Sequence, residues 1–145
     1  MKKNGKKILS ACSIASLLIT TTAVSTNVKA VGSSQNRLGG ADRYETSAKI
    51  SQSGWITSDY AIVANGEGYA DALCASPLAK ANNAPILLTT KDSLNENTLN
   101  ELKRMNVKHV IVVGGTGVVS DSVLNSIKSQ VTDVERIGGQ DRNET

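Results

Sequence analysis

The chain has 145 residues, with 16 Lys+Arg against 13 Asp+Glu and a single His. Five of the basic residues fall within the first thirty, which hold no acid, so the remainder carries eleven basic against thirteen acidic residues, a net charge of −2. With one Trp, three Tyr and no Phe, that remainder lacks both the basic face and the stacking rings of a nucleic-acid binder.

Residues 1–30 read as an export signal. Lys2, Lys3, Lys6 and Lys7 form its basic end, a mostly apolar stretch comes next, and Val28-Lys29-Ala30 places small residues at the cut. Leu9-Ser10-Ala11-Cys12 has the look of a lipoprotein box. It lies too close to the lysines, because a signal needs about 7 to 15 apolar residues before cleavage, and lipidation at Cys12 is disfavoured. The threonines at 20–22 break the run of about 20 apolar residues that a retained anchor requires. The exported chain then begins at Val31, with a polar leader over 31–36, and keeps one cysteine, Cys74. No internal disulfide is open to it, and its apolar neighbours Ala72, Leu73 and Ala75 point to a buried, inert thiol.

Next comes Arg37-Leu38-Gly39-Gly40-Ala41-Asp42-Arg43-Tyr44-Glu45-Thr46, which returns at an offset of 99 as Arg136-Ile137-Gly138-Gly139-Gln140-Asp141-Arg142-Asn143-Glu144-Thr145, seven of ten positions being identical. Such a period exceeds the roughly 20 to 50 residues of short solenoid repeats, so each unit is a small domain. The chain therefore divides into a first unit over 37–135 and the start of a second over 136–145. Gly39 and Gly40 suit a sharp exit at positive φ. Asp42 with Glu45 three residues on makes a capping box. Arg37 and Arg43 are not needed by that local geometry, and arginine suits bidentate contact with phosphate or carboxylate.

Elements then alternate. A helix over 43–53 leads to an apolar strand over 60–64 and a loop at Asn65-Gly66-Glu67-Gly68. Residues 69–82 form a helix apolar nearly all round, which predicts cover on both sides and a kink or a restarted helix at Pro77. A strand over 84–89 is next, then a helix capped by Ser93 and Glu96 with Leu94, Thr98, Leu102 and Met105 on one face. The strand 109–113 runs into Gly114-Gly115-Thr116-Gly117. A helix from Ser120 then turns Val123, Leu124, Ile127 and Val131 inward, and a last strand spans 134–137. Strands without alternation, separated by helices, predict an α/β fold with a short parallel sheet flanked by helices.

The glycine loop after the third strand resembles a dinucleotide fingerprint but lacks its third glycine and stands after the wrong strand, so a tight turn is the simpler reading and no cofactor is expected. A secreted nucleotide-dependent enzyme is thereby disfavoured. Glu67, Asp71 and Asp121 have no spacing that pairs them as acid and base. His109 has no second His or nearby Cys for a metal and no Ser-His-Asp set around it.

Taken in order, the decapeptide, Ala64-Asn65-Gly66 with Tyr69-Ala70-Asp71-Ala72-Leu73, Ser76-Pro77-Leu78-Ala79, Ala84-Pro85-Ile86-Leu87-Leu88, Val112-Val113-Gly114-Gly115 with Val118-Val119-Ser120, and the restart at Arg136 resemble the clostridial cell wall binding repeat, type 2. That family occurs in surface-layer proteins and wall hydrolases of Gram-positive bacteria. The resemblance implies small Rossmann-like three-layer modules, usually three in tandem about a pseudo-threefold axis, that hold a secreted protein noncovalently on an anionic wall polymer and perform no catalysis. It also admits a wall-targeting region of an N-acetylmuramoyl-L-alanine amidase or protease whose catalytic domain lies elsewhere. Candidate polymer contacts are Arg37, Arg43, Asn65 and Lys91, with Asp42 and Asp71 orienting them. Asn143 departs from the pattern where Tyr44 fits it. One complete unit in place of three suggests a fragment or an early stop, whose apolar 69–82 helix would be left exposed or would drive self-association.

Overall fold

In the computed structural model, residues 37–139 are described; the stretch read as an export signal, Cys12, the polar leader and the last six residues of the second decapeptide lie outside them. The four apolar runs become parallel strands β1 (Tyr60–Asn65), β2 (Ile86–Thr89), β3 (His109–Val113) and β4 (Asp133–Ile137). They lie side by side in the order β2-β1-β3-β4. β1 sits between two neighbours, with Ile62 opposite Ile86 on one side and Ile111 on the other. That central place explains its continuous burial from Ala61 to Asn65 and the absence of a polar alternation in its sequence.

Helices cover both faces of the sheet. On one, Ala61 and Val63 of β1 and Val110 and Val112 of β3 pack against Leu102 and Met105 from α4 (Glu96–Arg104) and its end, and against Val123 and Ile127 from α5 (Asp121–Lys128). On the other, Ile62, Ile111 and Val113 meet Ala75 and Ala79, which belong to the segment carrying α2 (Ala70–Cys74) and α3 (Ser76–Ala81). The amino-terminal helix α1 (Arg43–Gly54) packs on β2 and α4. The chain is thus an α/β three-layer unit with a four-stranded parallel sheet, as its pattern predicts.

Local expectations are partly corrected. Pro77 restarts the helix as anticipated, standing in the first turn of α3 directly after α2 ends. Residues 69–82 are covered on one side only: Ala75 and Ala79 are buried, whereas Tyr69 is 80% and Leu73 64% exposed. Cys74 is exposed, not buried, because it falls on the outer side of this helix. The cap of α4 is Asn95, whose side chain accepts the Asn97 amide at 2.9 Å; Ser93 instead offers its carbonyl to the hydroxyls of Thr89 and Thr90. Gly39 and Gly40 do not adopt positive φ; Gly114 does, at 117°. Two asparagines share that left-handed region, Asn83 at 47° and Asn106 at 55°. Each stands just past a helix end where the next amide reaches back to the helix, Ala84 N to Ala79 O and Val107 N to Leu102 O, the Schellman closure that Asn tolerates.

The capping box at α1 forms as expected. Asp42 Oδ1 accepts the Glu45 amide at 2.8 Å, and Glu45 Oε2 accepts the Ala41 amide at 2.6 Å. At the other end of α1 a buried carboxylate ties two helices together. Glu101, 2% exposed, accepts from Gln52 at 2.7 Å and from Arg104 at 2.8 Å. Arg104 also holds the carbonyls of Trp55 and Ile56. Burial pushes the Glu101 carboxyl up, but the hydrogen bonds from Arg104, Gln52 and Ser51 outweigh it and set the group below its ordinary value of 4.5.

Both ties can be tested by unfolding. A carboxylate favoured by the fold stabilises fully above its unfolded pKa and stops doing so as pH falls through the lower folded value. Glu101→Gln should therefore unfold more easily at pH 7, by about 1–2 kcal/mol in urea, and lose less stability than the parent as pH drops below 4.5. An unchanged acid limb in the variant would remove Glu101 from the cause. Asp42→Ala should cost about 1 kcal/mol, read as a lower urea midpoint at constant m-value.

Candidate functional site

All four strands run the same way, so their carboxyl ends emerge at one edge. Strand order reverses between β1 and β3, and in open parallel sheets ligands are taken at such a reversal. Four of the six candidate residues lie at this edge. Asn65 ends β1, Lys91 stands just beyond β2, Arg43 opens α1 and Asp71 lies in the first turn of α2.

Their contacts differ. Arg43 Nη1 donates to Gly66 O at 2.5 Å. A Cβ on Gly66 would fall 2.6 Å from the Tyr44 ring and 3.3 Å from Arg43 Cδ, so α1 rests directly on the β1 loop and only a glycine leaves room. Asn65 spans the reversal, its Nδ2 donating to Val118 O at 2.7 Å and its Oδ1 accepting the Glu67 amide at 2.7 Å. Lys91 is exposed, and its side chain makes no hydrogen bond or ion pair among the described residues; its carbonyl accepts the Ser120 amide at 2.9 Å. Asp71 is half-buried, with Oδ2 3.1 Å from where a Gly114 Cβ would stand. Its carboxylate, too, makes no hydrogen bond or ion pair among the described residues. Asp42 is committed to the helix cap. Arg37 stands apart at the start of the described chain, exposed and without a hydrogen bond or ion pair among the described residues.

The loop that resembles a dinucleotide fingerprint is a turn closed on itself. The amides of Val118 and Val119 both return to Gly115 O at 3.0 Å. It is pinned from outside by Arg136, whose Nη1 donates to Gly114 O and Val119 O, each at 2.8 Å, while Nη2 meets Asp121 at 3.2 Å. Only the repetition of the decapeptide singles out Arg136 in the sequence; its reach across the loop depends on β3–β4 pairing.

Beside this edge an open groove of about 850 Å³ runs between α1 and the α2–α3 segment, floored by Ile86 and Leu88. Arg43 and Asn65 border it at one end, and Ile50, Tyr69 and Leu73 form its apolar rim. The last three are all exposed large side chains. A feature at the opposite edge of the sheet is His109, stacked on Tyr60 at 4.6 Å and bonded to Asp133 at 2.6 Å. Among the described residues, no group of three or more His, Cys, Asp or Glu is placed to hold a metal ion, and no helix is long and apolar enough to cross a membrane.

Over most of its length the chain is similar to parts of several known proteins. Over 139 residues the chain is 40% identical to the N-acetylmuramoyl-L-alanine amidase LytC of Bacillus subtilis, covering 96% of this chain and 27% of that protein. It is 37% identical over 107 residues to the amidase enhancer of the same organism, covering 74% of this chain and 15% of that protein. Among solved structures it is similar to Cwp6 from Clostridium difficile, with a TM-score of 0.70 and 48% identity, over 74% of this chain and 17% of that one. Cwp8 from the same organism matches with a TM-score of 0.64 and 35% identity, over 73% of this chain and 18% of that one. The chain thus spans about a quarter or less of the length of these relatives. The profile of cell wall binding domain 2 (CWB2) matches residues 37–124, which hold α1 to α4, the start of α5 and the strands β1 to β3, and the chain belongs to the CWB2 family.

Proposed function

We propose that this chain is a noncatalytic anchoring module, exported to the surface of a Gram-positive bacterium, that holds its parent protein on an anionic secondary wall polymer such as a teichoic-acid-like chain. The observation that carries the reading is the family match over 37–124, since that family binds cell walls. The anionic partner is argued from chemistry. Arg43 and Lys91 put cations at the carboxyl edge of the sheet, where two loops and the start of α1 converge. Arg37 adds a third on an exposed approach. Asn65 and Asp71 shape this edge, with the amide of Asn65 already committed on both atoms, and Asp42 caps the helix that brings Arg43 to it.

The apolar rim has a separate part in the proposal. Ile50, Tyr69 and Leu73 are too exposed for a unit that works alone, and sister units in cis, or other copies of the chain, cover them.

A second reading has its own support, the match to an amidase over 96% of this chain. In that reading the module targets a wall hydrolase and the chemistry belongs to another part of the parent.

Retention on purified cell wall tests the anchoring. Binding should fall as salt rises through about 0.5 M, where the Debye length shrinks well below 10 Å. It should fall further on Lys91→Ala, which removes a cation that holds no side-chain partner among the described residues. Arg43→Ala should weaken it on the order of tenfold, the worth of one charge-assisted contact. Retention indifferent to salt and to both substitutions would rule out a polymer held by these cations.

A further inference from the structure

The two copies of the decapeptide display opposite halves of one device. In the first copy the described contacts face forward, into the next helix. Gly40 N donates to Thr46 Oγ1 at 3.0 Å, and a Cβ on Gly40 would lie 2.5 Å from Glu45 Cβ, so Gly40 is small because the capping glutamate folds over it. In the second copy they face backward, into the unit just completed. Ile137 O accepts the Gly114 amide at 2.8 Å, and Arg136 takes Gly114 O, Val119 O and Asp121. A Cβ on Gly138 would lie 2.6 Å from both Gly114 C and Gly115 N.

Placed in register, the copies explain why two glycines stand together without a positive φ at either. The first glycine of the pair is crowded by the completed unit's loop where it is Gly138, and the second by the following helix's capping glutamate where it is Gly40. Nothing is left between them to act as a linker. We propose that the decapeptide is a rigid joint between consecutive units, in which the leading arginine and first glycine grip the 114–119 loop of one unit while the second glycine and the Asp-x-x-Glu cap fix the first helix of the next. Arg136 is a positioning residue of this joint, and its partner is the next unit of the same chain. The joint is inferred from the repeat and the contacts, independently of wall binding.

The test extends the 145-residue chain behind Thr145 with a second copy of residues 47–139, the point at which the two decapeptides coincide. With Cys12→Ser, the exposed Cys74 and its copy carry two spin labels, and double electron–electron resonance reads the distance between them with no wall polymer present. The parent should give one narrow distance distribution. Arg136→Ala should at least double its width with both units still folded by circular dichroism. Gly139→Ala, which keeps the Arg136 side chain and stands where Gly40 stands in the first copy, should widen it as well and decides the matter if Arg136→Ala fails to fold. A broad distribution in the parent, or no widening in any folded variant, would overturn the joint.

Discussion

Beyond the last paired residues of the parallel strands, the carbonyls of the loops have no further strand to pair them, and a buried carbonyl left without a donor costs about 1–3 kcal/mol. This chain answers with side chains that reach across the edge. Arg43 serves Gly66, Asn65 serves Val118, and Arg136 serves Gly114 and Val119 together. The donors come from α1, β1 and β4 respectively, so satisfying the edge also fastens the first helix, the two central loops and the edge strand to one another. The tight turn at 115–119 and the glycines at 66 and 114 are consequences of how closely those donors and their backbones approach.

That constraint changes how the polar residues of the edge are weighed. An arginine in a repeated motif invites a functional reading, yet Arg136 spends both terminal nitrogens inside its own unit. Arg43 spends one, and borders the groove besides. Lys91 and Arg37, both exposed and holding no side-chain partner among the described residues, are the candidate cations left free to meet an outside anion. The same comparison separates the acids. Asp42 is part of a helix cap, whereas the Asp71 carboxylate, close to Gly114, makes no hydrogen bond or ion pair among the described residues.

Much of this fold is legible in the sequence because it obeys short-range rules. Continuous β-branched runs such as His109-Val110-Ile111-Val112-Val113 mark a buried strand with the bounds found. The Asp42–Glu45 box marks the start of α1, and the proline at 77 marks the break between α2 and α3. The features that escape depend on backbone angles and contacts that the residue types do not fix. Ser93 has the spacing of a cap, but Thr89 and Thr90 claim its carbonyl. The left-handed turns at Asn83 and Asn106 are hidden because Asn is an ordinary helix-end residue until its φ is known. The apolar neighbours of Cys74 suggest burial, but neighbours in sequence on a helix face different ways, and Ala75 takes the inward position. The buried Glu101 cannot be told from a surface acid, since its partners Gln52 and Arg104 come together only when α1 lies on α4.

The phase of a sequence repeat is a matter of convenience, whereas the phase of a structure is set by which residues bury which. Counting from the decapeptide makes Arg136 and Ile137 the opening of a second unit, yet both are strand residues of the first sheet, with Arg136 beside Val112 and Ile137 beside Val113. Gly138 packs on the loop of that same sheet. In the first copy, the described contacts of Gly40, Asp42 and Glu45 go to the helix they open. A motif repeated so closely, with its leading residues bound to the preceding sheet and its trailing residues bound to the next helix, is constrained from two sides at once. A surface that only met a ligand would be free to vary wherever the ligand did not touch. Structural demand from both directions is therefore a sufficient physical reason for the decapeptide to return at an offset of 99 with seven of ten residues unchanged.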